Sequence, residues 1–258
     1  MPIQPMHATA FKTKLVRNGD DLFAVLGEAL SASLPERSII TLASKIPATC
    51  EGRFVPKTAG TRQEKHELVK KEADYYLPST LSKYDIMLTI KQNWMFANAG
   101  IDESNADDQY VLWPKDPQAT ANEVWQWLRQ TYGLKEVGVI ITDSRSMPLS
   151  LGVVGHGISY AGFEPLYSYV GKPDLYGRPM QMEQVSVVQT IASMSSLMMG
   201  EGAEQTPLAV FSELPDLVVF TDHTPTSEEA TLQHIPLEDD IYAPLLTSVD
   251  WQKGGSGK

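Results

Sequence analysis

A single cysteine, Cys50, occurs in 258 residues. That scarcity excludes any disulfide within the chain and fits a reducing compartment. An isolated cysteine is most often a small buried residue, and Cys50 is read that way rather than as a nucleophile. No apolar run approaches the roughly 20 residues of a membrane span. The opening MPIQPMHATAFKTK lacks the apolar core of a secretion signal, so the expected location is cytoplasmic. Positive charge is also short, with 21 Lys and Arg against 32 Asp and Glu and a formal net charge of -11. Long-range repulsion on that scale opposes bulk attraction to nucleic acid or an anionic membrane. Phosphate can still be bound, through placed lysines and arginines or a divalent metal.

Familiar motifs are missing as well. His7, His66, His156, His223 and His234 show no metal spacing, and one cysteine cannot complete a structural zinc site. The ending GGSGK has the look of a phosphate-binding loop, but it lacks the preceding strand, the earlier glycine and a helix after Lys258. It is read as a flexible tail over 251–258. Gly152, Gly155 and Gly157 lie too far past the nearest strand for a dinucleotide fingerprint. Ser150 and Ser159 sit in no nucleophile elbow.

What is present is ordinary globular material, 42% hydrophobic and 21% charged. It forms one domain over 1–250 in which two lobes are allowed. Helical spacing covers Asp20 to Ala32, Pro117 to Gln130 and Gln184 to Met199, and Lys57 to Lys71 is a charged surface helix or loop. Strands are expected at Ser38 to Ala43, Tyr84 to Ile90, Trp94 to Ala97, Val137 to Thr142, Leu208 to Phe211 and Leu217 to Phe220. Helices and strands mix without strict alternation, which predicts an α+β fold.

Four segments carry possible chemistry. In Ala97 to Asn105 (ANAGIDESN) a turn on Gly100 presents Asp102 and Asn105. In Ile140 to Ser144 (IITDS) a strand ends on Asp143, where a rigid carboxylate suits a hard cation. Met198 to Pro207 (MMGEGAEQTP) places Glu201 and Glu204 on a glycine-containing loop whose amides can approach phosphate. Leu42 to Arg53 puts Ser44 and Lys45 after a strand and Glu51 and Arg53 after a turn. Spacing alone suggests a metal-phosphate site and names no reaction.

Together these stretches resemble the coenzyme F-420:L-glutamate ligase (F-420-0 gamma-glutamyl ligase) family, collinearly from residue 14 to 213. The matching pieces are GDDL at 19–22, SKI at 44–46, EGR at 51–53, AGIDESN at 99–105, ITD at 141–143, YGR at 176–178 and MGEGAE at 199–204. The resemblance implies a ligase-like α+β fold of mixed sheets with helices, in an intertwined homodimer. It implies an enzyme that phosphorylates an acceptor carboxylate with GTP or ATP and lets the amine of L-glutamate attack the acyl phosphate. Asp102, Asp143 and Lys45 would be catalytic. Asp102, Asp143, Ser144 and Glu201 would hold two Mg²⁺ or Mn²⁺ ions, with K⁺ as a further cation. Ser44, Lys45, Asn105 and the run Met199, Gly200, Glu201, Gly202, Ala203, Glu204 would contact the nucleotide. Arg53, Arg145 and Arg178 are candidate partners for substrate carboxylates, because arginine suits bidentate carboxylate binding.

The departures cluster where an acceptor would be read. The family's TFGRPWR-like stretch is SRSMPLS here, Ser144 to Ser150, which loses one arginine and displaces Arg145. The acidic pair of AVADELA becomes Gln189 and Thr190 in Ser186 to Ala192. Losing an arginine removes a bidentate phosphate contact, so the expected acceptor is a folate or pteroate. Tyr160, Phe163, Tyr167 and Tyr169 are candidates to stack on a pterin ring, although aromatic residues so placed more often belong to the core or a dimer interface. The alternatives are the F-420 precursor itself and a catalytically silent nucleotide-binding homologue.

Overall fold

The computed structural model describes residues 5–30 and 33–257. Ser31 and Ala32, the end of the helix expected from Asp20, and Lys258, the end of the expected tail, lie outside the described residues. In chain order the strands are β1 (His7–Phe11), β2 (Ser38–Ala43), β3 (Phe54–Pro56), β4 (Tyr75–Tyr76), β5 (Leu88–Lys91), β6 (Trp94–Ala97), β7 (Gln109–Val111), β8 (Val137–Ser146), β9 (Val153–Ala161), β10 (Leu166–Ser168), β11 (Gln184–Ser186), β12 (Leu208–Ser212) and β13 (Gln252–Lys253). The helices are α1 (Leu22–Ala29), α2 (Lys45–Cys50), α3 (Arg62–Glu72), α4 (Pro117–Tyr132), α5 (Val187–Met199) and α6 (Ala243–Leu246). The fold is α+β, as predicted. Among the described residues no helix is long and apolar enough to cross a membrane. The chain divides into two compact units.

The first unit contains the residues through Gly52, Pro114–Asp143 and Val154–Gln233. Its sheet runs β1-β12-β2-β8-β9, with β2 and β8 parallel and β12 antiparallel to both β1 and β2. The apolar runs of β2 and β8 are buried at every position from Ser38 to Leu42 and from Val137 to Thr142, as expected for a strand covered on both faces. Ile39 and Ile140 join Val188, Ile191 and Ala192 of α5 in one core, with Phe211 from β12. Pro117 opens α4 behind Asp116, whose side chain accepts the Ala119 N–H, and Gly133 closes it at φ 68°. Trp125 of α4 donates its indole N–H to Val137 O at 2.8 Å. The strand expected at Leu217 to Phe220 is instead irregular. Pro215 starts a turn there, and in place of a ladder the segment has Glu164 N–H to Val219 O, Thr221 N–H to Gly162 O and a bridge between Phe163 and Phe220, while Val218 packs in the core.

The second unit contains Arg53–Trp113, Ser144–Val153 and His234–Lys258. Its larger sheet runs β13-β4-β5-β6, and β3 pairs with β7. The hairpin expected around Lys91 to Asn93 is present, with Gln92 and Asn93 both at positive φ. The charged stretch after Lys57 becomes α3, which opens with Thr61 capping the Glu64 N–H. Glu64 reaches back to the amides of Thr58, Ala59 and Gly60 at 2.6, 2.9 and 2.7 Å. Those three amides hold its carboxyl below the usual range.

The segment read as a free tail is ordered where it is described. Gln252 and Lys253 pair with β4. The next four amides then donate to the carbonyls that end α3: Gly254 to Asp74, Gly255 to Lys70, Ser256 to Ala73 and Gly257 to Lys71, at 2.8–2.9 Å. The GGSG run therefore caps a helix C-terminus, whose last carbonyls have no partner within the helix.

Candidate functional site

The parallel register of β2 and β8 positions the site. It runs from Ser38↔Val137 to Ala43↔Thr142, so Ser44 and Asp143 follow at the same carboxyl end of neighbouring strands. Ligands of open sheets collect at such ends. Ser44 N–H donates to Thr142 O at 2.7 Å, which turns the chain out of β2 and into α2. Ser44 is the buried N-cap of that helix and Lys45 its first residue.

The glycine-containing loop reaches the same end of the sheet. Ala43 N–H donates to Pro207 O at 2.9 Å, and Leu208 begins β12 opposite Leu42. Met199 ends α5, Gly200 follows at φ 75°, and the Thr206 hydroxyl closes the loop on Met199 O at 2.6 Å. Glu204 folds back across the loop and accepts the Gly202 N–H at 2.8 Å. The φ of Gly200 lies in the left-handed half of the map, where an L side chain would be strained, so glycine suits this turn. An amide of this loop thus already holds an anionic oxygen. Ser44, Lys45, Asp143 and the run Gly200, Glu201, Gly202, Ala203, Glu204 are brought together at one sheet end of the first unit. Ser144 and Arg145 continue β8, and the division between the units falls between Asp143 and Ser144.

Asp102 and Asn105 belong to the second unit, in a loop of uncommon backbone. Asn98, Ala99 and Gly100 have φ of 52°, 55° and 70°, and Asn105, Asp107 and Asp108 are also left-handed. Three contacts pin its first turn. Ala99 N–H donates to Thr89 Oγ1 at 2.9 Å, Asn98 Oδ1 accepts the Met87 N–H at 3.1 Å, and Gly100 lies against the Trp113 ring, where a Cβ would collide with the indole nitrogen. Asp102 Oδ1 accepts from Glu103 N–H at 2.6 Å, Ser104 N–H at 2.8 Å and the Ser104 hydroxyl at 2.9 Å. The role of Ser104 was not anticipated, although a hydroxyl two residues after Asp is a turn signal. Backbone bonds between Asp102 and Val111 fix the position of the carboxylate's Cα.

The arginines separate. Arg53 donates Nε to Trp113 O at 3.0 Å and Nη2 to Glu72 at 3.2 Å, which gives it a structural task beneath the Asp102 loop. Arg178 is solvent-exposed in the loop between β10 and β11, 3.8 Å from Asp174. Arg145 is half-buried, and burial lowers its pKa.

Several other residues have structural roles. Tyr160 and Phe163 are fully buried with ring centroids 5.6 Å apart, and the Tyr160 hydroxyl donates to Glu229 O; they are core, the more common of the two roles expected for them. Tyr167 and Tyr169 pack edge to face beneath Lys172. Gly155 and Gly157 serve helix packing. A Cβ on Gly155 would strike Ala192 O, and one on Gly157 would strike Val188. Burial pushes the Cys50 thiol up to about 11, with Asp20 and Asp21 adding to the shift, so the thiol stays protonated and poorly nucleophilic.

Among the described residues no three His, Cys, Asp or Glu side chains gather as a ready-made metal cage. The donors at that sheet end of the first unit are the Asp143 and Glu201 carboxylates. Such an oxygen-only set fits Mg²⁺ or Mn²⁺, since Mg²⁺ commonly takes one or two carboxylates and completes its shell with water and substrate phosphate.

A family model described as F420-0:Gamma-glutamyl ligase matches residues 10–213. The chain is similar to the coenzyme F420:L-glutamate ligase of Methanopyrus kandleri, 34% identical over 221 residues, covering 80% of this chain and 86% of that protein. It is similar to the ligase of that name from Methanothermobacter thermautotrophicus, 28% identical over 78% of this chain and 86% of the relative. The Methanosarcina acetivorans protein of the same name is 29% identical over 79% of this chain and 84% of the relative.

Proposed function

The chain belongs to the F420-0:Gamma-glutamyl ligase family, and from that premise we propose that it is an amide-forming ligase that joins L-glutamate to the carboxylate of a small acceptor. The observation that carries this reading is the meeting of Ser44–Lys45, Asp143 and the 199–207 loop at one sheet end. A carboxylate is a poor electrophile, so its oxygen first takes the γ-phosphoryl group of GTP or ATP, and the nucleoside diphosphate leaves as the β–γ bond breaks. The glutamate amine then attacks the acyl carbon, and phosphate leaves with the amide formed. Lys45 places positive charge near the phosphoryl oxygens, and Ser44 and the loop amides orient the phosphates. Asp102, Asp143, Ser144 and Glu201 are the residues that would hold divalent metal, and Asn105 would contact the nucleotide. The bound metal would offset the repulsion between the acceptor carboxylate and the γ-phosphate.

The acceptor we propose is a folate or pteroate, on the strength of the changed Ser144 to Ser150 stretch. The second reading, the F420-0 acceptor, is favoured by the names of the relatives. Catalytic silence is the third reading, motivated by the lost acidic pair and arginine; the retained Asp102, Asp143 and Glu201 argue against it, and Gln189, which replaces one acid, has a structural role with Gly157. A homodimer belongs to the same proposal, with the fully exposed Leu149 and Leu151 of the second unit as candidates for burial in it. The test is phosphate release with Mg²⁺ or Mn²⁺, L-glutamate and GTP or ATP, run with dihydropteroate, tetrahydrofolate or F420-0. Release that needs both glutamate and a pterin, and that Asp143→Asn abolishes, is the expected result. Release with F420-0 alone moves the acceptor to the second reading, and release with none of them overturns the folate and F420-0 readings alike and leaves a different acceptor or a silent homologue.

A further inference from the structure

The Asp102 loop is expensive backbone. Left-handed conformation at Asn98, Ala99, Asn105, Asp107 and Asp108 costs on the order of 1 kcal/mol per non-glycine residue, and persists only where its surroundings over-determine it. Trp113 holds the first turn from below. The second half is held by Glu103, immediately after Asp102. Glu103 Oε1 accepts from Lys65 Nζ at 2.6 Å, and Oε2 lies 3.1 Å from Lys57 Nζ. Lys65 belongs to α3 and Lys57 follows β3, so the two oxygens are tied to two different elements of the same unit. Both lysine side chains are only 17% exposed. The Lys57 ammonium also lies 5.3 Å from the centre of the Tyr110 ring, and its backbone N–H reaches Asp108 O.

An isolated surface ion pair contributes little. Here two sunken cations share one carboxylate, and the backbone N–H of that same residue holds Asp102 Oδ1 at 2.6 Å. Tying the Glu103 side chain to two elements holds the strained backbone of 103–105 in place; without that clamp this backbone can relax, and the Glu103 and Ser104 amides that hold Asp102 Oδ1 shift with it. We propose that Glu103, clamped by Lys57 and Lys65, is a positioning residue that fixes the Asp102 carboxylate for metal binding. The proposal rests on the reading above in which Asp102 is a metal ligand. Groups that orient ligands from outside typically change metal affinity by about 10- to 100-fold.

The experiment is a Mn²⁺ titration of the full chain in the presence of GTP, read by the electron paramagnetic resonance signal of free Mn²⁺, alongside thermal melting of the metal-free protein. Glu103→Gln and Lys65→Met are expected to weaken Mn²⁺ binding about tenfold with little change in melting, and Lys65→Arg to restore it. Lys65→Met acts from α3, so it carries the test if Glu103→Gln does not fold. Parent-like Mn²⁺ affinity in Glu103→Gln and Lys65→Met, with binding lost in Asp102→Asn, overturns the positioning role and leaves the metal reading standing. Parent-like affinity in Asp102→Asn overturns both.

Discussion

Gln189 reads both backbone groups of Gly157 with one amide, accepting the Gly157 N–H and donating to the Gly157 carbonyl at 2.9 Å each. The neighbouring glycine is held likewise, with Gly155 N–H donating to Ser196 Oγ at 3.0 Å and Ser193 Oγ donating to Gly155 O at 3.1 Å. Gln189, Ser193 and Ser196 lie four and three residues apart on α5, which makes one stripe of that helix. The stripe satisfies the open side of β9, the last strand in its sheet. A carboxylate can accept from Gly157 but cannot donate to it. Gln189→Glu therefore sets an anion against a carbonyl, and should cost about 1–3 kcal/mol. The urea midpoint at neutral pH checks this, and the loss should shrink under acid that protonates the new carboxyl.

The terminal glycines make a prediction of a different kind. Gly254 and Gly255 approach α3 so closely that a Cβ on either would collide with the carbonyls of Ala73 or Lys71. Truncation after Trp251 removes four capping hydrogen bonds and the pairing of β13 with β4. At roughly 1 kcal/mol net per bond, the second unit should lose about 2–4 kcal/mol. Amide exchange should accelerate at Lys70 to Asp74 first. Protection at these amides that survives truncation would show that the cap is dispensable.

The core was legible in the sequence, and so were the separate motifs of the candidate site. β2, α4 and β12 follow from buried apolar runs, from Pro117 behind Asp116 and from helical spacing, because their hydrophobic pattern and their caps agree. The sheet-end cluster was legible only as separate motifs, since nothing local in SKI or MGEGAE announces that β12 and β8 flank β2. The tail was misread because glycine and serine usually mark chain without structure. Here the missing side chains are what admit the amides to the end of α3. The core reading of Tyr160 holds, but an aromatic run alone carries no sign of which face is buried. The clamp on Glu103 joins residues 38 and 46 positions apart in sequence, a spacing no local pattern records.

A pH response should appear at residues 222–233. His223 faces two carboxylates, with Nδ1 3.3 Å from Asp222 and Nε2 3.3 Å from Glu229. Bonding to Glu229, then to Asp222, raises the imidazole pKa. Glu229 in turn holds the Thr226 N–H at 2.8 Å, and that bond, followed by His223, lowers its carboxyl pKa. A raised imidazole pKa stabilises the fold fully below the unfolded value of about 6.5, and the gain is lost as pH rises through the folded value. The depressed Glu229 acts in the opposite sense, losing its contribution as pH falls below its ordinary range. Exchange of the 222–233 amides, corrected for intrinsic rate, should be slowest between these limits and quicken above the raised histidine pKa. His223→Gln should remove the upper step, which an NMR titration of the imidazole locates directly.

The buried charges of the second unit give the sharpest contrast. Glu72 accepts from Lys91 at 2.8 Å and from Arg53 at 3.2 Å, and all three side chains are largely buried. The Lys91 ammonium lies 5.3 Å from the Trp113 ring centre. Burial drags the lysine pKa down and Glu72 pulls it back. Removing the anion leaves two cations facing each other without compensation, so Glu72→Ala should cost about 3–5 kcal/mol. Removing a cation instead leaves an Arg53–Glu72 pair, and a methionine refills the space of the lysine stem. Lys91→Met should therefore cost much less, on the order of 1 kcal/mol. The double variant should recover part of the Glu72→Ala loss, because the charge that alanine strands is gone. Denaturant midpoints for the two single variants and the double variant close that cycle, and a Lys91→Met as damaging as Glu72→Ala would refute the argument from unpaired charge.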